Sequence, residues 1–208
     1  ECVDTLNQME LAFVIHLGDF IDRDIRSYAV MKPIYDRLKA PHYHVLGNHD
    51  FSVAKDKLDG VPARLGLQRR YYTFRAPGWR FVVLDGNDLS LFGRRAGSPE
   101  HDQARSHYAA LKRRQMPNAQ AWNGAVGKAQ ASWLDRQLAE ADQSNERVIV
   151  FCHYPVHPGN PHNLWNDRDM VRRLESHRGV VAFMNGHNHA GNYAEKRGIH
   201  YVTFPGMV

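Results

Sequence analysis

Gly47-Asn48-His49-Asp50 is the stretch of sequence from which the rest of the chain can be interpreted. It follows the apolar run His44-Val45-Leu46, which predicts a short strand that ends in a turn. Folds of the α/β class place their chemistry at such strand ends. Asn48, His49 and Asp50 supply an amide, an imidazole and a carboxylate on consecutive residues. A Gly-Asn turn followed by polar residues is common in loops, so the tetrapeptide alone decides nothing.

Three further strand-to-turn passages carry side chains of the same chemical kinds. Each follows an apolar run and ends in a residue type that binds metal; the passages are Gly18-Asp19-Phe20-Ile21-Asp22, Phe151-Cys152-His153 and Gly186-His187-Asn188-His189. Taken singly, Asp19 could be a helix N-cap, His153 a hydrogen-bonded core histidine, and the last passage a plain turn. Four strand ends with compatible donors favour a metal centre over these separate explanations.

The donor types indicate which cations such a centre would hold. The candidate ligands offer carboxylate, amide and imidazole groups; they are Asp19, Asn48, His153, His187 and His189. These groups suit Mn²⁺, Fe or Zn²⁺ and differ from a thiolate site. A carboxylate can bridge two cations, so Asp19 is the candidate bridge of a dinuclear centre. Two cations about 3.5–4 Å apart can polarise a phosphoryl group and ionise a water molecule between them.

Length and composition indicate an ordinary globular protein. The chain has 208 residues, 43% of them hydrophobic and 24% charged, which fits a single domain over residues 1–208. No apolar run reaches the roughly 18 residues of a membrane helix, and no signal peptide is visible. The net charge of +5 comes from scattered basic residues and favours a solvated surface over a nucleic-acid site. Cys2 and Cys152 predict reduced thiols in a cytoplasmic protein.

The order of predicted elements indicates an α/β protein with more than one sheet, mixed in direction. A strand at 11–17, a helix at 26–38 and a strand at 42–46 form a β-α-β unit. Hairpins are predicted within 71–84 and 192–204. Between them lie helices at about 100–114, 127–142 and 167–176, strands at 147–152 and 180–184, and loops at 85–97 and 115–126, while 52–70 is polar and irregular. Four of the 13 histidines are predicted to be surface residues, namely His42, His101, His107 and His162.

At the strand-end residues the chain resembles the calcineurin-like metallophosphoesterases. That family's pattern is Asp-x-His, Gly-Asp-x-x-Asp, Gly-Asn-His-Asp/Glu, a lone His and Gly-His-x-His. Four of these five blocks stand here in order, at 18–22, 47–50, 153 and 186–189. The resemblance implies a four-layer α/β/β/α sandwich of two mixed sheets, with the ligands on loops at one edge. The first block is absent, so we expect a chain truncated at its N-terminus and lacking the first strand.

Further stretches resemble the manganese-dependent ADP-ribose/CDP-alcohol diphosphatases. They are 71–74, 77–85, 88–91, 122–124, 155–158, 164–166 and 198–208. This narrower resemblance implies two divalent ions, with manganese favoured over iron or zinc. It also implies hydrolysis of a phosphoanhydride in a nucleoside diphosphate derivative such as ADP-ribose or a CDP-alcohol. A small nucleotide-derived phosphate is the expected partner; nucleic acid, membrane and an obligate protein partner are not expected.

The resemblance implies roles for the metal ligands. Asp19 would bridge both ions. Asn48, His153 and His187 would complete one ion, and His189 would bind the other. Without the first block of the family pattern, the second ion would keep only Asp19 and His189.

It also implies roles for residues that face the substrate. His49 would bind the phosphate and protonate the leaving oxygen, and Asp50 would orient its ring. Asp22 is expected to hold its loop. Arg23 is a candidate phosphate contact or a surface residue, and Asn123 is a candidate substrate contact or a turn-former.

Two alternatives stay open. A cyclic-nucleotide phosphodiesterase or a broad phosphomonoesterase would use the same metals with a different pocket. A non-catalytic scaffold of the same fold would account for the missing first block. The intact pair His49-Asp50 and a complete ligand set for one ion argue against the scaffold, which has no chemical need for them.

Overall fold

Within residues 1–206, which the computed structural model describes, the chain forms six α-helices and ten strands. The helices are α1 (Cys2–Leu6), α2 (Ser27–Tyr35), α3 (Val61–Arg64), α4 (Pro99–Arg113), α5 (Lys128–Gln143) and α6 (Asp167–Glu175). The strands are β1 (Val14–His16), β2 (His42–His44), β3 (Tyr72–Ala76), β4 (Trp79–Val83), β5 (Leu89–Ser90), β6 (Gly124–Ala125), β7 (Arg147–Phe151), β8 (Val180–Asn185), β9 (Asn192–Lys196) and β10 (Ile199–Thr203). The last two residues of the stretch 198–208 lie outside the described range.

The strands form one large sheet and two small ones. The large sheet has the order β3-β4-β7-β8-β10-β9. Its four inner strands run parallel, and the edge strands β3 and β9 pair antiparallel. A parallel pair, β1 and β2, makes the second sheet, and the two-residue strands β5 and β6 form a short antiparallel ladder. The expected mixture of strand directions is confirmed.

Successive side chains of the inner strands point to opposite faces of the large sheet, and both faces are buried. In β7, Val148 and Val150 pack with the α5 and α6 helices, while Ile149 and Phe151 face the small parallel sheet. A strand buried on both faces is apolar throughout, which is why the sequence shows continuous runs here. The outer face of the small sheet packs through His44 of β2 against Tyr35 of α2, with 4.7 Å between the ring centroids. The layers are therefore α2, β1-β2, the large sheet, and α5 with α6, as the family resemblance implied.

The irregular segments contain structure that the sequence did not predict. Residues 52–70 include a 3₁₀ helix, Lys55–Gly60, followed by α3, and they bury Leu58 and Val61 against Phe51. The strands β5 and β6 lie inside the two predicted loops. Two-residue strands carry no periodicity, so only tertiary pairing defines them. In the described part of the chain, no helix combines the length and apolar character needed to cross a bilayer.

Candidate metal centre

Four donor atoms from four strand ends converge on one point. The Nε2 atom of His153, after β7, lies 3.2 Å from Asp19 Oδ2, after β1. The same nitrogen lies 3.0 Å from Asn48 Oδ1, after β2, and 3.1 Å from His187 Nδ1, after β8. Donor atoms of Asp19, His153 and His187 all lie within 4.8 Å of one another. The structure thus brings together the four residues predicted to bind the first ion.

The outer nitrogens of the two histidines are hydrogen-bonded to oxygen atoms. His153 Nδ1 donates to Leu17 O at 2.8 Å, and His187 Nε2 donates to Asn123 Oδ1 at 3.0 Å. The amide nitrogen of Asn123 donates to two backbone carbonyls, of Asn118 and Pro161, so its oxygen is the atom that faces His187. A neutral histidine whose outer nitrogen carries the proton presents a lone pair at the inner one. Metal-binding histidines are oriented in this way.

The charges of the cluster also suit a cation. Burial raises the pKa of Asp19, but the nearby His153 outweighs it and holds that pKa below its usual range. Burial lowers the pKa of His153, and here Asp19 outweighs it and raises the pKa. Burial, followed by the effect of His153, keeps the pKa of His187 well below its ordinary value, so this ring stays neutral and able to coordinate. A carboxylate, an amide oxygen and two imidazoles fit a divalent ion of the Mn²⁺, Fe or Zn²⁺ kind.

Backbone strain is concentrated at two of the donors. Asp19 has φ = 58° and His187 has φ = 64°, both in the left-handed region that side chains other than glycine seldom adopt. Such conformations cost free energy and persist where the surroundings fix them, commonly at functional sites. Asp50 holds the Asp19 turn in place, since one carboxylate oxygen accepts from Asp19 N–H at 3.1 Å.

Two glycines allow the strand ends to approach one another. A Cβ added to Gly18 would lie 2.4 Å from His153 Nδ1, and one added to Gly47 would lie 2.2 Å from Asp19 Oδ1. Real Cβ atoms essentially never come so close to another heavy atom. The glycines of the two sequence blocks are therefore required by the packing of the donor residues.

His49 is oriented by Asp22. Its Nδ1 lies 2.7 Å from Asp22 Oδ1 and 3.0 Å from the carbonyl oxygen of the same residue. This leaves Nε2 as the nitrogen available to a ligand, and the half-exposed ring lines the cavity beside the donors. The sequence assigned Asp22 to holding its loop; in the structure it also positions the ring of His49.

The expected pairing of Asp50 with His49 is corrected by the structure. Asp50 is fully buried and accepts hydrogen bonds from Gly47 N–H (2.9 Å), Asp19 N–H (3.1 Å), Phe20 N–H (3.0 Å) and Tyr28 O–H (2.9 Å). These contacts join the turns after β1 and β2 beneath the donors. Burial raises the pKa of Asp50 to about 6. Asp50 is therefore an architectural residue of the site, and its carboxylate does not reach the His49 ring.

Arg23 takes the surface position that was one of its two expected places, and Asn123 lies outside the cavity wall. The Arg23 side chain is 76% exposed, pairs with Asp22 at 3.3 Å, and lies outside the cavity wall. Asn123 is fully buried, and its amide is engaged by His187 and two backbone carbonyls. Its side chain contacts a donor histidine and does not line the cavity, so of its two expected roles the substrate contact is not the one that the structure favours. His189 lines the cavity with an exposed side chain outside the four-atom cluster, so its role toward a second ion stays a prediction.

A cavity of about 410 Å³ opens beside the donors. Its described wall consists of Asp19, Asn48, His49, Trp122, His162, His187, Asn188, His189 and Ala190. His162 was predicted to be a surface residue, but its ring centroid lies 5.4 Å from that of His187. The other three histidines assigned to the surface, His42, His101 and His107, are also only partly exposed. His162 stands between the resembling stretches 155–158 and 164–166, which was the available signal for its place in the site.

Known proteins match this chain in sequence and in fold. A sequence model of the family described as "Calcineurin-like phosphoesterase" matches residues 1–191. The manganese-dependent ADP-ribose/CDP-alcohol diphosphatase of Xenopus tropicalis is 30% identical over 251 residues, which cover 98% of this chain and 72% of that protein. The Arabidopsis thaliana protein of the same name is 33% identical over 232 residues, covering 96% of this chain and 72% of its own length.

A solved structure gives the same result. The crystal structure of a dimetal phosphatase from Danio rerio superposes with a TM-score of 0.87 at 29% identity, covering 98% of this chain and 75% of that one. The fold predicted from the sequence and the resemblance carried by its four blocks are both confirmed.

Proposed function

The chain belongs to the calcineurin-like phosphoesterase family, and on that premise we propose that it hydrolyses the phosphoanhydride of nucleoside diphosphate derivatives such as ADP-ribose or CDP-alcohols. The observation that carries the proposal is the convergence of four donor atoms beside a cavity of about 410 Å³ that His49 also lines. The names of the Xenopus tropicalis and Arabidopsis thaliana relatives support the substrate class. The partner proposed for the site is therefore a small nucleotide-derived phosphate.

Residues already placed at the strand ends would hold the metal. Asp19, Asn48, His153 and His187 would bind one divalent ion, and Asp19 with His189 would contribute to a second. Manganese is the metal proposed, because the relatives carry it in their names. Bound there, divalent cations polarise a phosphoryl group and lower the pKa of a water molecule.

His49 is the proposed general acid. Asp22 accepts from its Nδ1 and fixes the orientation of the ring, so that Nε2 of the acid form carries its proton toward the ligand side. His49 then gives this proton to the oxygen that leaves when the anhydride bond breaks. A positioned acid of this kind contributes about 100- to 10,000-fold to the rate.

The cysteines support a cytoplasmic location as part of the proposal. Cys152 is buried at the end of β7 and Cys2 is exposed near the start of α1, and both thiols are free. Free thiols persist in reducing compartments, whereas the thiols of exported proteins tend to be oxidised to disulfides.

Product analysis tests the proposed function. The Mn²⁺-loaded chain is incubated separately with ADP-ribose, cyclic AMP and p-nitrophenyl phosphate, and nucleotide products are separated by chromatography. We expect Mn²⁺-dependent release of AMP from ADP-ribose at a higher kcat/KM than that for the other two substrates. His49→Ala should lose about 100-fold or more of this turnover, while His200→Ala, at an exposed site on β10, should retain it. Turnover confined to cyclic AMP or the monoester would refute the proposal.

A further inference from the structure

Trp122 differs from the other three tryptophans of the chain in having no aromatic neighbour among the described residues. The others are packed: Trp79 against Phe81 (6.3 Å between ring centroids), Trp133 against Tyr71 (4.8 Å) and Trp165 against Tyr108 (5.4 Å). Trp122 is 47% exposed and lines the cavity that holds the donor cluster. A large apolar ring left in water at the wall of a site is a candidate contact for a ligand.

The exposure of Trp122 does not come from a loose loop. Its carbonyl oxygen lies 3.4 Å from the hydroxyl oxygen of the fully buried Tyr154. The next residue, Asn123, is fully buried and anchored on both sides of its amide. Gly124 then pairs with Ser90 in the β5-β6 ladder. The backbone beside Trp122 is therefore fixed relative to His187, to which Asn123 is hydrogen-bonded.

The cavity wall offers different chemistry to the charged and the uncharged parts of a ligand. Of the described wall residues, four are histidines, one is an aspartate, and none is lysine or arginine. A diphosphate would therefore find its positive partners in a cation held by the metal donors and in His49, and the described wall offers it no lysine or arginine beside Trp122. The part of the wall formed by Trp122 is suited to an uncharged, flat group.

We propose that Trp122 is the platform on which the nucleobase of the substrate stacks while the diphosphate lies against the metal donors. The proposal rests on the proposed function, and it names the feature that makes a nucleotide the substrate class. An indole offers a broad π-face, and every nucleobase can stack on it without base-specific hydrogen bonds. The platform accepts adenine and cytosine derivatives alike and excludes no base by its edge groups.

The affinities of the two reaction products, AMP and ribose 5-phosphate, test the stacking on Trp122 independently of catalysis. AMP carries the base and ribose 5-phosphate lacks it, so the difference between them reports the stack. Equilibrium dialysis of the Mn²⁺-loaded chain measures both dissociation constants for wild type and Trp122→Ala. We expect the substitution to weaken AMP about 5- to 150-fold and to change ribose 5-phosphate by less than about 2-fold. Trp122→Phe, which keeps a smaller ring, should restore most of the AMP affinity.

Tyr193→Ala is the matched control, because Tyr193 is also an exposed aromatic residue, 60% accessible, but lies on β9 outside the cavity wall. It should bind AMP as wild type does. In steady-state assays, Trp122→Ala should raise KM for ADP-ribose and for a CDP-alcohol by similar factors. If AMP binds wild type and Trp122→Ala equally, or if both products weaken together, the platform is refuted.

The experiments distinguish a failure of the Trp122 platform from a failure of the proposed function. A chain that binds AMP through Trp122 yet cleaves only cyclic nucleotides would refute the diphosphatase and leave the platform standing. A chain that cleaves ADP-ribose with the same KM before and after the substitution would do the reverse.

Discussion

The ring nitrogens that His153 and His187 turn toward each other lie 3.1 Å apart. Each ring uses its other nitrogen as a donor, to Leu17 O and to Asn123 Oδ1 respectively. With both rings neutral, two lone pairs therefore point into the space that also receives oxygens of Asp19 and Asn48. Such an arrangement is unfavourable until a cation or a proton enters it, which explains the fit to metal. The Asp19 carboxylate beside His153 outweighs burial and raises the pKa of that ring.

The contact between His187 and Asn123 predicts an effect on metal affinity. Asn123→Leu removes the acceptor for His187 Nε2–H, so the ring loses the bond that fixes its tautomer and orientation. We expect the dissociation constant for Mn²⁺ to rise about 10- to 100-fold, measured by isothermal titration calorimetry. Gln120→Ala, in the same loop, is the control and should bind as wild type does. Unchanged affinity in Asn123→Leu would show that this bond has no part in metal binding.

The contact between His49 and Asp22 predicts an effect on turnover alone. Asp22→Asn replaces the carboxylate that orients the ring of His49, 2.7 Å away, and should lower kcat about 10- to 100-fold. Metal content should stay the same, since Asp22 is not among the donor residues. Asp24→Asn is the control: this exposed aspartate pairs with Arg26 instead. Equal rates for the two variants would remove Asp22 from the mechanism.

Gly47 and Gly60 form a matched pair for the steric requirement of the site. Alanine at Gly47 would place its Cβ 2.2 Å from Asp19 Oδ1, whereas alanine at Gly60 meets nothing within 4 Å. We expect Gly47→Ala to lower the free energy of unfolding by about 1–3 kcal/mol and to weaken Mn²⁺ binding. Gly60→Ala should change neither quantity appreciably. Urea unfolding and metal titration of the two variants measure this, and similar behaviour of both would contradict the steric argument.

His44 predicts a loss of stability in mild acid. The residue is 3% exposed, and neither ring nitrogen has a hydrogen-bond partner among the described residues. Burial, assisted by His16 and Lys32, lowers the pKa of His44 to about 3. Between this value and the unfolded value of about 6.5 the unfolded chain binds a proton that the folded chain does not. Stability from this group is therefore complete above about pH 6.5 and falls as the pH drops.

A histidine replacement measures the size of this effect. At pH 5, about 1.5 units below the pKa of the unfolded histidine, protonation of the unfolded chain lowers the folding stability by about 2 kcal/mol. Urea unfolding at pH 7 and pH 5 should show that His44→Phe loses about 2 kcal/mol less than wild type between the two conditions. His200→Phe, at an exposed position, should lose as much as wild type. If His44→Phe shows the full acid loss, His44 is not the group responsible.

Residue patterns predicted the strand ends and five candidate ligands, of which four meet in the structure; the family resemblance implied that those four share one ion. An apolar run followed by a polar donor is a local pattern, and parallel strands bring their carboxyl ends to one edge. The partner of His49 could not be predicted in this way. Asp50 follows it directly in the sequence, whereas Asp22 lies 27 residues away, and the contact with Asp22 depends on how the turns after β1 and β2 pack together. The same limit applies to His162 and to the β5-β6 ladder, whose positions are set by contacts between distant segments.

Manganese stoichiometry is the measurement that decides whether the four strand-end donors form a metal centre. Elemental analysis after equilibrium dialysis would compare wild type with His153→Phe and with His157→Phe, a nearby histidine outside the donor cluster. We expect at least one Mn²⁺ per chain in wild type and in His157→Phe, and a loss of bound metal in His153→Phe. Equal metal content in wild type and His153→Phe, or none in wild type, would contradict the assignment of these residues as a metal centre.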